Sequence, residues 1–339
     1  MSGTSLDGVD LAYCTFERNE STFKINYAKT FSYTADWKKR LENADQISAQ
    51  ELALLEIDIS RLFASHINSF ISENKIKDID AISSHGHTIF HQPENGFTYQ
   101  IGRASYISAL SGHVVIGDFR TADLALGGQG APLVPIGDRD LFSSYVNRIN
   151  LGGFANISFE EDERTIAFDI CPLNMALNQL ANELNLDYDP DGSIARRGKI
   201  NPVLLEELND LEYYQLSGPK SLGKEWYLSH FSPLLSGSAV STEDKLRTLC
   251  EHMAMQLTRS MRSGKTLISG GGSHNSFLIE RIKELSKNEI DVADPIIIDF
   301  KEALIFAYLG YLRLIGKINV LSSVSGASHD HIAGSIHLP

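Results

Sequence analysis

"NRINLGGFANISFE" occupies residues 147–160 and reads as strand, Gly-Gly turn, strand. "TIAFDI" (165–170) follows as a third strand, and "NMALNQLANELN" (174–185) as a helix. The same order stands upstream. Val9 to Phe16 reads as a strand and Phe23 to Tyr33 as its neighbour. "SAQE" (48–51) is a capping box. The helix it opens carries Leu52, Leu55, Ile59, Leu62, Phe63 and Ile67 at helical spacing and is expected to end near Lys75. "IDAISS" (79–84) and "HVVIGDF" (113–119) read as buried strands. Downstream come a helix from about Thr242 to Met261, a strand "TLIS" breaking into Gly270–Gly272, a late strand "PIIIDF" (295–300) and a helix "KEALIFAYLGYLRL" (301–314).

Strands alternating with helices define an α/β fold. The repeated order, starting once at Gly3 and again at Asn150, points to an internal duplication. Two similar domains, 1–140 and 141–339, are expected to face one cleft, with the boundary between Pro135 and Asn150.

The chain has 339 residues, 42% hydrophobic and 22% charged, with a net charge of −13. This is enough apolar material for two domains. No basic block is present, which argues against nucleic-acid binding. An anionic substrate would have to be held by local donors. Cys14, Cys171 and Cys250 form no CxxC and are odd in number, as expected of free thiols in a reducing compartment. No signal peptide or bilayer-length apolar run is seen, so the expected location is the cytoplasm, away from membranes.

Three glycine loops adjoin strands: Gly3 to Gly8, Gly152–Gly153 and Gly270 to Gly272. Glycine lets backbone N–H groups approach phosphate oxygens, so the three together suggest nucleotide or phosphate binding. "SGKT" (263–266) is not a P-loop, because Arg259 stands where the first glycine belongs. Asp187, Asp189, Asp191 and Gly192 begin like an EF-hand, but Gly198 replaces its final Glu, which leaves an acidic turn. His85, His87, His91, His329 and His331 lack a Cys or acid at zinc spacing, so a polar substrate-facing role is preferred. "GTSLDG" is not a hydrolase elbow. Asp169 closes an apolar strand, where a carboxylate serves as a general base or simply caps the next helix.

The motifs "MSGTSLDGVD", "SSHGHTIFHQP", "IGDFRTADLALGGQGAPLVP", "GGFANIS", "FDICPLN", "GPKSLGKEWY", "SGGGSHN" and "SSVSGASHDH" occur in this order. Together they make the chain resemble the anhydro-N-acetylmuramic acid kinase family, from Gly3 to about His331. The resemblance implies two duplicated actin-like/ribonuclease H-like α/β domains around a central cleft, and a homodimer. It implies ATP and Mg²⁺ as cofactors and a small sugar as partner. In the implied reaction, ATP and water open 1,6-anhydro-N-acetylmuramic acid and phosphorylate O6, a step of cell-wall recycling.

By the same resemblance Gly3, Thr4, Ser5 and Gly8 approach the ATP phosphates, with Asp7 and Asp10 near Mg²⁺. Gly153 and Asn156 form a second phosphate hairpin. Gly271, Gly272 and Asn275 hold the adenosine part. Asp169 is the catalytic base. Ser84, His85, Gly86, Arg120, Asp123, Gln129 and Asn174 lie on the sugar side, Arg120 toward the lactyl carboxylate. Glu302, at the start of the late helix, faces the cleft or the surface.

Three departures stand out. "DICPLN" replaces a D-T-G-P-G-N pattern, placing Cys171 and Leu173 at glycine positions. His87 takes the place of a Gln. Family members carry an apolar strand ahead of "MSGTS", and without one a pairing edge is expected to be exposed. A kinase for another 1,6-anhydro sugar, and an inactive sugar- or nucleotide-binding protein, remain as alternatives.

Overall fold

A computed structural model describes residues 1–3, 6–17, 22–216, 218, 220–237 and 239–339. Among the described residues the strands are, in chain order, β1 (Gly8–Phe16), β2 (Phe23–Ser32), β3 (Ile82–Ser83), β4 (His87–Gln92), β5 (Phe97–Ile101), β6 (Val115–Gly117), β7 (Asn147–Leu151), β8 (Phe154–Glu161), β9 (Arg164–Pro172), β10 (Thr266–Ser269), β11 (Ile290–Val292) and β12 (Ser335–His337). Helices separate most of them, so the fold is α/β. The chain divides into two compact units. One is Met1–Leu141 together with Phe300–Pro339, and the other is Phe142–Asp299. Residues 300–339, grouped with the second domain on sequence, pack with the first unit.

The second unit is built on a five-stranded sheet in the order β11-β10-β7-β8-β9. The stretch 147–160 forms its β7–β8 hairpin, with Asn150 opposite Asn156 and Leu151 opposite Ala155. β9 pairs antiparallel with β8, and β10 joins β7 in parallel. β8 therefore runs against the other four strands. The helix Thr242–Ser260 places Leu246, Leu249, Met253 and Leu257 against Leu177, Leu180 and Phe231. All of these are at most 4% exposed, and each contributes about 1.5–3 kcal/mol through burial.

In the first unit β1 and β2 pair antiparallel, Gly8 opposite Ser32 through Phe16 opposite Phe23. β12-β6-β3 form a separate sheet, and β4-β5 a hairpin. The edge of β1 away from β2 carries one bridge, between Ser2 and Val9. A cavity of about 830 Å³ opens beside it, lined among others by Cys14, Phe16, Ile82, Ser83, Phe306 and Tyr311. The helix Ala49–Glu73 starts at the expected capping box. The Ser48 hydroxyl accepts the Glu51 N–H, and the Glu51 carboxylate accepts the Ser48 N–H at 2.9 Å. Leu55, Ile59, Phe63 and Ile67 then pack with Ile101, Ile107 and Val115.

"PIIIDF" is not a strand. It forms the first turns of one helix, Pro295–Leu314, and the true last strand of the sheet is β11, just upstream. Three consecutive Ile favour extended backbone locally. Pro295, however, supplies the fixed φ suited to a helix start, and the Asp294 carbonyl accepts the N–H groups of Ile297 and Ile298. Ile305, Phe306 and Leu309 of this helix then enter a core with Ile116, Phe119 and Leu133. No described helix is long and apolar enough to cross a membrane.

Candidate active site

Asp169 lies within β9, not at its end. The helix that follows begins at Asn174 with Leu173 in the capping position, so the helix-cap reading of Asp169 falls. Asp169 stands opposite Asn156 and Cys171 opposite Ala155, which leaves Ile170 as an extra residue in the strand. Such a bulge re-aims the side chains beside it. Ile170 and Cys171 turn into the core at 2% and 0% exposure, and Asp169 stays half-buried.

A loop brackets this carboxylate. The Leu222 N–H donates to Asp169 Oδ2 at 2.8 Å. The Asp169 N–H donates to the Lys220 carbonyl at 3.0 Å. The Tyr213 hydroxyl donates to the Asp169 carbonyl at 2.5 Å, and Lys220 Nζ donates to the Tyr213 carbonyl at 2.9 Å. Oδ1 has no hydrogen-bond partner among the described residues. Burial pushes the Asp169 pKa above the usual carboxylate value, and the Leu222 N–H opposes the rise. "GPKSLGKEWY" was recognisable as a motif, yet none of its residues was expected at the site. A backbone N–H donor leaves no mark in residue type.

The Gly152–Gly153 turn sits at the same end of the sheet. Its carbonyls accept the N–H groups of Asn174 and Leu173, at 3.2 and 2.8 Å. Asn174 Nδ2 donates to the Leu151 carbonyl at 3.2 Å, which ties that residue to the hairpin. A side chain at Gly153 or Gly271 would meet nothing within 4 Å, so both backbones are open. At Gly272 a Cβ would fall 2.7 Å from Leu173 and 2.9 Å from Leu151, so close packing demands glycine there. Asn275 Oδ1 caps the helix Ser276–Leu285 through the Leu278 N–H at 2.9 Å. The Asp189 carboxylate accepts from the Ile194 and Ala195 N–H groups, both at 2.9 Å, as an acidic turn does.

In the first unit, Thr4 and Ser5 lie outside the described residues. Gly8 is excluded from bearing a side chain by the Phe31 backbone across the β1–β2 pair. The Gly3 carbonyl accepts the Leu6 N–H, and the exposed Asp7 accepts from the Tyr33 N–H through its carbonyl. Asp10 is half-buried, and its Oδ1 accepts from Thr30 Oγ1 at 2.6 Å. Among the described residues no group of three or more His, Cys, Asp or Glu is placed to hold a metal ion.

Of the residues expected on the sugar side, His85 and Arg120 meet at the loop after β3, while Asn174 belongs to the second unit. Arg120 Nε donates to His85 Nε2 at 3.0 Å, and Arg120 Nη1 to the Gly130 carbonyl at 2.5 Å. Burial brings the Arg120 pKa down to about 10, with Glu302 and Asp123 opposing, so it stays a cation at neutral pH. Asp123 is fully buried. Its Oδ2 accepts the Gly130 N–H and its Oδ1 the Ser325 hydroxyl, both at 2.6 Å. This engagement makes it a clamp on the glycine loop. Gln129 is exposed, its N–H donating to the Ser325 carbonyl at 2.8 Å. The Ser84 N–H donates to the Ile116 carbonyl at 2.8 Å. Gly86 has φ +77°, and a Cβ there would sit 2.7 Å from the Ile101 carbonyl oxygen. Glu302 stands two turns into its helix, not at the start. Its side chain reaches solvent, while nearby protein raises its pKa and Lys301 opposes the rise.

The sequence model of the family described as Anhydro-N-acetylmuramic acid kinase matches residues 1–339. Three curated relatives carry that name. The Hydrogenovibrio crunogenus protein is 32% identical over 356 residues, covering 100% of this chain and 97% of the relative. The Sulfurimonas denitrificans protein is 34% identical over 366 residues, covering 99% and 98%. The Vibrio cholerae protein is 34% identical over 361 residues, covering 100% and 97%. A solved structure of (R)-2-hydroxyglutaryl-CoA dehydratase component A from Acidaminococcus fermentans aligns with TM-score 0.33 and 14% identity, over 51% of this chain and 68% of that chain; nothing below rests on it. A full-length family match and relatives above 30% identity over whole chains lead to one conclusion: the chain belongs to the anhydro-N-acetylmuramic acid kinase family.

Proposed function

We propose that the protein opens 1,6-anhydro-N-acetylmuramic acid with water and transfers the γ-phosphoryl of ATP to O6, giving N-acetylmuramic acid 6-phosphate and ADP. The reading places the protein in cell-wall recycling, in the cytoplasm, as a homodimer. One observation carries it. Asp169 sits at a strand bulge with Oδ2 fixed by Leu222 and Oδ1 uncommitted. A carboxylate so held, with its pKa raised, suits a general base that takes a proton from water. Water attacks the anomeric carbon, its proton passes to Asp169 Oδ1, and the bond from that carbon to O6 breaks. O6 then takes the phosphoryl group.

The open backbones at Gly153 and Gly271 suit phosphate and nucleotide approach, and Asn156, opposite Asp169, lies between the turn and the base. Nucleotide-bound Mg²⁺ needs only one or two protein carboxylates beside water and phosphate oxygens. Asp10, with Oδ2 left over, and the exposed Asp7 fit that demand. The ion supplies neutralisation of phosphoryl charge. Arg120 pairs with the lactyl carboxylate.

The test is ADP release from the purified chain with ATP, Mg²⁺ and the anhydro sugar, with the product weighed for gain of both water and phosphate. Asp169→Asn should abolish turnover and leave ATP binding nearly intact. A product that gains phosphate without water, or an Asp169→Asn enzyme with unchanged turnover, would overturn the reading.

A further inference from the structure

Arg120 is seated against the loop after β3 by a hydrogen bond to a ring nitrogen. His85 is 7% exposed. Its Nε2 lies 3.0 Å from Arg120 Nε, which always carries a proton, so Nε2 is an acceptor. The remaining ring proton is then on Nδ1, which donates to the Gly86 carbonyl at 3.1 Å. The ring edge packs on Phe306 with centroids 4.6 Å apart. Every ring position that could face a ligand through hydrogen bonding is thus in use. On its other side Arg120 is held by the Gly130 carbonyl, and Gly130 is pinned by fully buried Asp123. Of the five guanidinium protons these contacts take two, leaving those on Nη2 and one on Nη1 for a ligand.

We propose that His85 is a positioning residue. As a neutral imidazole in a fixed tautomer, it aims Arg120 so that the free edge of the guanidinium reads a substrate carboxylate. The proposal rests on the acidic-sugar reading above, and it changes the sugar-side part that the family resemblance implies for His85. The ring does not grip the sugar; it orients the group that does. A bidentate guanidinium–carboxylate pair depends on angle as well as charge, so a loosened Arg120 keeps its cation and loses its aim. Burial, then the Arg120 cation beside the ring, push its pKa down to about 3, with the Gly86 carbonyl opposing.

Two substitutions separate aim from packing. Gln in place of His85 offers an oxygen near the Nε2 position, whereas Phe keeps the apolar ring and removes the acceptor. Each variant is compared with the parent on two probes, 1,6-anhydro-N-acetylmuramic acid and the same anhydro amino sugar bearing a hydroxyl in place of the lactyl ether. Binding is read by calorimetry and, where turnover occurs, by KM and kcat. His85→Phe should weaken the acidic sugar about tenfold or more through KM, with kcat and the neutral sugar little changed. His85→Gln should stay within about threefold of the parent on both. Equal losses on the two sugars, or a Gln variant as impaired as the Phe variant, would overturn the proposal. Nitrogen NMR of the free protein gives a readout independent of any sugar. It should show a neutral Nδ1–H imidazole at pH 5, and a protonated or Nε2–H ring would overturn the proposal even if the kinase reading stands. A parent that binds both sugars equally would instead refute the role of Arg120 at the carboxylate, even with the NMR result intact.

Discussion

At the scale of single residues, the raised pKa of Asp169 makes a statement about pH. The proposed general base must be ionised to take a proton from water, so kcat/KM should fall as pH drops through its folded pKa, and this acid limb should lie above that of an ordinary aspartate. The sign for stability is opposite to that of a salt-bridged carboxylate. With the folded pKa above the unfolded one, the ionised group costs stability above its folded pKa, and the cost disappears below the unfolded pKa. Asp169→Asn removes the cost and should leave the unfolding temperature at pH 7 unchanged or higher. A lower midpoint together with an acid limb at the position of free aspartate would defeat both expectations. Asp169 was legible in the sequence because an acid after an apolar run is conspicuous, although it lies inside β9 and not at its close. Its partner Leu222 was not, since any residue supplies an N–H. The part played by Asp123 was also hidden. Its carboxylate answers to Ser325, two hundred and two positions away, and spacing along the chain cannot show that.

At the scale of elements, the glycine loop after β10 holds two glycines with different reasons to exist. Gly272 is wedged between Leu173 and Leu151, so Gly272→Ala forces a shift in a packed core and should destabilise the chain by about 1–3 kcal/mol in denaturant unfolding. Gly271 faces open space, so Gly271→Ala should leave stability within about 0.5 kcal/mol and weaken nucleotide binding instead. Equal unfolding curves for the two variants would sink the distinction. Sequence shows glycines in a row and cannot rank them, because the neighbours that do so come from β7 and from the residue before Asn174. The hairpin at 147–160 was readable for the opposite reason: strand, turn and strand are all local there. "PIIIDF" misled because local preference for extended backbone competed with a helix whose apolar side is filled by distant residues such as Ile116 and Leu133.

At the scale of the whole molecule, the α/β character followed from alternation of elements, and the chain divides into two units. The first unit, though, closes through residues at both ends of the chain. β12 pairs with β6, Ser335 opposite Gly117, and the helix Pro295–Leu314 fills a core with Ile116 and Phe119. That arrangement orders events during synthesis. The second unit is continuous, so its last strand emerges from the ribosome before residues 300–339 do. The first unit must wait, its apolar surface open, for the time needed to add residues 300–339, on the order of seconds at ordinary elongation rates. Stalled nascent chains ending near residue 330 should therefore show a protease-resistant second unit beside a digestible first one. Release of the full chain should protect both. Early protection of residues 1–141 in such chains would mean that the amino-terminal half folds without its carboxyl-terminal partner. In this protein residues 300–339 are a gatekeeper for residues 1–141, and a ribosome that stops short of them leaves the earlier-made unit as the vulnerable one.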